Sequence, residues 1–201
     1  MKKQSNKLAD IYKELYSHFG AQNWWPGDTR FEVMAGAILT QNAAWTNVEK
    51  AILNLKKAKV LTPEKLHRLN TKKLGVLIKP SGFFNVKAKR LKNFLNYMHS
   101  GYGGSIKKMM KKSLTALRHE LLNVNGIGKE TADSILLYAL DKPIFVVDAY
   151  TKRLLIRRGI IDKGYGYYEI KELFESNLKK DLEVFQEFHA LIVENEKREK
   201  H

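Results

Sequence analysis

The chain of 201 residues has no cysteine. Disulfides, thiolate nucleophiles, cysteine-held metals and iron–sulfur clusters are therefore excluded. Proline is scarce. Its four copies, Pro26, Pro63, Pro80 and Pro143, fall in loops or at a helix start, and none interrupts an apolar periodicity. Acidic residues are outnumbered, 21 against 36 basic, which leaves a formal charge of +15 and a pI near 9.8. That imbalance favours a polyanionic partner, nucleic acid first; composition by itself leaves anionic membranes open. No apolar run is long enough to span a bilayer, and Met1 to Lys7 is not the apolar core of a signal peptide. The expectation is a soluble cytoplasmic protein. Repeats and low-complexity linkers are missing too, and 44% hydrophobic residues suffice for one compact unit or two small lobes.

What is present is helical periodicity. Leu8, Ile11, Tyr12, Leu15 and Phe19 mark a first helix ending near Gly20. Asn23-Trp24-Trp25-Pro26-Gly27 is a loop, and Thr29 with Glu32 reads as a capping box opening a helix along Phe31, Met34 and Ile38. Trp45 precedes a helix through Val48, Ile52 and Leu55. Thr62-Pro63 and Thr71 open two short ones. Lys87, Lys89, Arg90 and Lys92 decorate a helix whose apolar side is Phe84, Ala88, Leu91, Phe94 and Leu95. The apolar run Ile144 to Val147 has no partner strand and reads as a buried extended segment delivering Asp148 to a helix start. Helices from Ala149, Tyr168 and Leu182 follow, the last reaching about Arg198. Ten or so helices and no confident strand make the chain all-α.

The stretch from Leu121 to Asp133 organises the rest. Leu114, Leu117, Leu121 and Leu122 recur at helical spacing before it, and Ala132, Ile135, Leu136 and Ala139 after it. Between them Asn125-Gly126-Ile127-Gly128 forms a hairpin. Gly126 and Gly128 permit positive φ and close approach of another backbone. The second helix starts there, so its unpaired amides and positive dipole end suit a phosphate. Lys129 adds a cation.

Gly126-Ile127-Gly128-Lys129-Glu130-Thr131-Ala132 followed by Val146-Val147-Asp148 resembles the endonuclease III superfamily of helix-hairpin-helix DNA glycosylases. The blocks Ile38 to Asn42, Ser81 to Ala88 and Phe188 to Val193 resemble the same superfamily in the same order, so the likeness covers most of the chain. It implies two helical lobes flanking a cleft: residues 23–140, with the hairpin element at about 114–140, and residues 1–22 with 141–201. It also implies an enzyme of base excision repair acting on double-stranded DNA, expected to be a monomer and nucleoid-associated through DNA.

The resemblance assigns parts to residues. The amides around Gly126, Ile127 and Gly128, with Lys129 and Thr131, would anchor phosphate. The carbonyls of Leu122, Val124 and Ile127 match those that hold a monovalent or divalent cation in relatives. Gln41, next to Asn42, matches the residue that wedges into the stack when a base is flipped; read from the residues alone it is equally a solvent-facing helix end. Asp148 matches the catalytic carboxylate, which stabilises oxocarbenium character on the sugar. A plain N-cap aspartate is the other reading, and the two roles are compatible.

Glu130 is the informative departure. Lysine stands here in the bifunctional members, where its amine forms an imine with the sugar and permits strand cleavage. Glutamate cannot, and Lys129, about 100° away round the helix, is expected to point elsewhere. Trp24, Trp25, Pro26 and Trp45 are the candidate base pocket. A stacked tryptophan favours a cationic alkylated purine by about 0.5–2 kcal/mol. These features closely resemble the bacterial 3-methyladenine DNA glycosylases that lack both the lyase lysine and the cluster. Lys197 is a counterpart of a modified lysine in that subfamily, with a solvated tail lysine as the plainer reading. A glycosylase for oxidised pyrimidine, uracil or mismatched thymine, and a non-catalytic DNA-binding protein, stay as alternatives.

Overall fold

The computed structural model describes residues 2–24 and 27–199. Among them are twelve α-helices and no strand, in keeping with the all-α expectation. In chain order these are α1 (Lys2–Phe19), α2 (Arg30–Leu39), α3 (Trp45–Lys57), α4 (Pro63–Arg68), α5 (Thr71–Leu77), α6 (Phe84–Tyr102), α7 (Ile106–Met110), α8 (Leu114–Leu122), α9 (Lys129–Ser134), α10 (Ala149–Arg157), α11 (Tyr167–Asn177) and α12 (Leu182–Arg198). A 3-10 turn at Lys79–Ser81 precedes α6, and a π-helical turn at Ile135–Ala139 prolongs α9.

Side-chain caps set several starts. Thr29 Oγ1 accepts the Glu32 amide at 3.1 Å, but Glu32 Oε2 reaches back to the Asp28 amide at 3.2 Å rather than to Thr29, so the expected box is displaced by one residue. Thr62 caps α4 as expected, with Pro63 at its first position. Asn70, not Thr71, caps α5: its Oδ1 accepts the Lys72 amide at 2.8 Å, and asparagine is the stronger N-cap.

The chain forms two compact units, residues 1–26 with 142–201, and residues 27–141. In the first, α12 packs on α1 and α10, and α11 on α1. Phe145 stacks on Phe174 with centroids 3.8 Å apart and meets Phe185 and Phe188 edge-on. The Ile144–Val147 segment is buried and lies outside any helix or strand, and its Phe145 amide donates to Glu175. Beyond Val193, α12 continues to Arg198. Its buried Glu196 pairs with Arg157 at 2.5 Å.

In the second unit α2 is buried from Phe31 to Leu39, apolar nearly all round as a central helix must be. It packs against α3, α6, α9 and the π turn. Lys87 corrects the expectation of a decorated surface. It is 1% exposed, and its Nζ donates to the carbonyls of Leu39 at 2.8 Å and Ser81 at 2.6 Å. The ammonium thus closes the C-terminal end of α2, where carbonyls lack helical partners. Burial, with Arg90 nearby, holds its pKa below the ordinary lysine value.

Candidate active site

The hairpin belongs to the second unit. Ser113 caps α8, Leu117 and Leu121 bury its inner face, and Val124 and Ile127 carry that apolar contact through the turn. Asp133, fully buried on α9, takes a forked pair of hydrogen bonds from Arg118 on α8 at 2.7 and 3.2 Å, which fixes the two helices to each other. Gly126 has φ +94°, and a Cβ placed there would lie 2.3 Å from Arg90 Cγ. Both a left-handed backbone and close approach therefore require glycine. Gly128 differs from the expectation: its φ of −86° is open to any residue, and nothing crowds it. Its place is the N-cap of α9.

One open depression of about 530 Å³ is lined by Gln41, Asn42, Arg90, Gly126, Ile127, Gly128, Lys129, Glu130 and Thr131. The candidate phosphate anchor, Glu130, Gln41 and Asn42 thus border a single surface. Lys129 borders it beside Glu130. Both sit in the first turn of α9, where consecutive residues surround the open end of the helix. The Gln41 amide is fully engaged: Nε2 donates to the Gly126 carbonyl at 3.0 Å and to Thr131 Oγ1 at 2.9 Å, while Oε1 accepts from Arg90 at 2.6 Å. Asn42 is exposed with φ +51°, a left-handed conformation asparagine tolerates. Trp45, half-buried at the start of α3, donates Nε1–H to Glu49 at 2.8 Å and is not among the residues lining the depression.

Asp148 belongs to the first unit, at the N-cap of α10. Its Oδ1 accepts the Thr151 amide at 2.7 Å and the Thr151 hydroxyl at 2.9 Å, and its Oδ2 lies 3.5 Å from His189 Nε2. The side chain is 13% exposed. Burial pushes the carboxyl up, but His189 and the two Thr151 hydrogen bonds outweigh it and hold it below its ordinary value. The group is an ionised carboxylate at neutral pH. The Trp24 ring packs on His189 at 5.7 Å, tilted 35°, and Lys197 Nζ stands 5.8 Å from the centroid of Trp24. Trp24, His189, Lys197 and Asp148 thus form one chain of neighbours. Trp24 and Trp45 belong to different units, and Trp25 and Pro26 lie outside the described residues.

The profile of the HhH-GPD superfamily of base excision DNA repair proteins matches residues 35–180. The chain belongs to this superfamily. It is a DNA glycosylase, in line with its relatives. A Methanocaldococcus jannaschii protein provisionally named a DNA repair glycosylase is 56% identical over 190 residues, 94% of this chain and 86% of that one. Endonuclease III of Thermotoga maritima is 30% identical over 152 residues, 76% of this chain and 67% of that one. Among solved structures, the H. pylori 3-methyladenine DNA glycosylase MagIII bound to 1,N6-ethenoadenine superposes with a TM-score of 0.84 at 31% identity, covering 96% of this chain and 98% of that one.

Three residues of this glycosylase escape sequence reasoning. Arg90 reads as surface charge, and only the glycine clash and the Gln41 contact reveal its place. His189 lies inside a recognised block, yet nothing in the spacing pairs it with Asp148. Phe83 is 71% exposed with φ +45°, an unusual conformation and position for phenylalanine, just before α6. It lies inside the block from Ser81 to Ala88, yet nothing in that block's pattern marks it as exposed.

Proposed function

We propose that this glycosylase is monofunctional and hydrolyses the N-glycosidic bond of alkylated purines of the 3-methyladenine type. The observation that carries the reading is Glu130 in the first turn of α9, bordering the hairpin depression where a lyase requires an amine. The hairpin amides anchor a phosphate, and a flipped base leaves the stack for a pocket. The Asp148 carboxylate stabilises positive charge growing on the sugar as the bond breaks, and a water completes hydrolysis.

The lesion class rests on two supports. MagIII, similar along nearly the whole chain, is a 3-methyladenine glycosylase. Trp24, beside the candidate carboxylate cluster, already carries Lys197 over its face, so the ring suits a cationic base. Trp25, Pro26 and Trp45 are the other base-pocket candidates that the sequence offers. Gln41 is the candidate wedge by its place in the loop after α2, and exposed Phe83 suits an apolar wedge. The carbonyls of Leu122, Val124 and Ile127 are the candidate cation ligands. Val124 accepts the Ile127 amide at 2.9 Å with one lone pair and keeps the other, and oxygen donors suit hard ions. Such an ion would offset phosphate charge.

Lys129 on the same depression supports one second reading, a lyase acting through that amine. Duplexes carrying 3-methyladenine, 7-methylguanine, uracil or an oxidised pyrimidine separate the two. Base release from the alkylated purines, with strand breaks only after alkali, is expected. Breaks without alkali and a borohydride-trapped adduct lost in Lys129→Ala would establish the lyase. Release confined to uracil or oxidised pyrimidine would overturn the lesion class.

A further inference from the structure

We infer that Arg90 is a positioning residue for DNA engagement, holding the hairpin and the loop after α2 as one preorganised surface. The inference deepens the proposed function and rests on it for the DNA step. Arg90 makes two different contacts with the two parts. Its aliphatic stem lies so close over Gly126 that no Cβ fits there, and its guanidinium donates to Gln41 Oε1 at 2.6 Å. Gln41 then passes the constraint on, since both its amide hydrogens go to the hairpin: one to the Gly126 carbonyl, one to Thr131 on α9. The Gly126 peptide is thus pressed from the Arg90 stem and held by its carbonyl, which fixes where the amides that follow it point.

Two more ties from α6 run the same way. Asn93, one turn beyond Arg90, donates to the Asn125 carbonyl at 3.1 Å. Lys87, one turn before, holds the Leu39 carbonyl two residues ahead of Gln41. Lys87, Arg90 and Asn93, spaced by three, fall on one side of α6. Helix α6 therefore grips both candidate DNA-contacting loops. Donors fixed before the ligand arrives bind more tightly than donors that must be ordered on binding.

Arg90 also borders the depression, so direct contact with phosphate is the rival account. The two differ in measurable ways. A phosphate contact acts independently of Gln41, and its loss lowers the salt dependence of binding by about one unit of log–log slope. A positioning contact acts through Gln41 and leaves that slope unchanged.

The experiment measures binding of a duplex with a tetrahydrofuran abasic analogue, across a salt series, for wild type, Arg90→Met, Arg90→Lys, Gln41→Ala and both doubles with Gln41→Ala. Expected are affinity losses of about tenfold for Arg90→Met and Arg90→Lys, doubles no weaker than the weaker single, and an unchanged slope. Additive losses, or wild-type affinity in Arg90→Lys with a smaller slope in Arg90→Met alone, would overturn positioning. Thermal unfolding of the same proteins without DNA reads the Arg90–Gln41 coupling separately and reports any variant that fails to fold. Wild type that ignores both abasic and damaged DNA would count against the proposed function, while independent effects on melting would sink the Arg90–Gln41 link itself.

Discussion

The hairpin surface and the Asp148 cluster solve opposite problems with opposite means. At the hairpin the chemically useful groups are backbone amides at an open helix end, and the side chains around them mostly hold that backbone still: Arg90 and Asn93 from α6, Gln41 from the loop after α2, and Arg118 paired with buried Asp133. At Asp148 the proposed catalytic group is one side chain, 13% exposed, its pKa held below the ordinary value by contacts to a histidine and a threonine. A surface that must meet many DNA sequences is well built from backbone, because phosphates are identical along the chain. A charge proposed to act on a developing cation is well built in low dielectric, where attraction is stronger, provided enough partners offset desolvation.

That division gives the largest expected effect. Asp148→Asn removes the charge yet keeps an N-cap of equal quality, so α10 and the fold should persist. Base release should fall about 10³-fold, the upper range for removing one electrostatic stabiliser, with affinity for abasic duplex nearly unchanged. Single-turnover assays beside binding titrations check both halves. A comparable loss of affinity would show that the carboxylate region also anchors DNA.

The converse substitution is Gly126→Ala. Its backbone sits at φ +94° and its new methyl meets the Arg90 stem. Left-handed strain and overpacking together should destabilise the protein by about 2–4 kcal/mol, read by denaturant unfolding. Binding should weaken, while the rate of base release from saturated complex stays near that of wild type. Gly128→Ala, at an ordinary φ with open space around it, is the internal control, and near-wild-type stability is expected.

The two regions were not equally legible. Apolar periodicity marks the helices that bury α2 and α12, and the absence of partner strands places Ile144–Val147 as a buried segment between helices. The π turn at Ile135–Ala139 and the short α7 escaped notice, the first because a π turn shares the apolar run of an α-helix, the second because Ile106 to Met110 reads as a lysine run. For the site, the sequence motif gathers Gly126 to Thr131 by adjacency, and the fold brings Gln41 to them from 85 residues away. Lys87 and Arg90 look alike in sequence, two cations on one helix. Yet one is sealed against carbonyls and the other reaches the hairpin, because burial of a long side chain depends on what its polar tip meets. Contacts between groups far apart in sequence carry no local pattern, so His189 could not be paired with Asp148 in advance.

The smallest expected effect tests that last pair. His189→Gln keeps a polar side chain of similar reach but removes the group that, when protonated, pairs with Asp148. Burial, which pushes the carboxyl up, is then opposed by Thr151 alone. The folded-state pKa of Asp148 should rise. A carboxyl held low in the folded protein adds stability that is fully present above its unfolded value, about 3.9, and lost as pH falls through the lower folded value. In the variant that loss starts at higher pH, and the acid limb of base release moves up with it. Activity at pH 8 should change little, since the carboxylate is ionised there in both proteins. A uniform drop at every pH would mean that His189 only packs against Trp24, and the contrast between a preorganised backbone surface and a tuned side chain would rest on Thr151 alone.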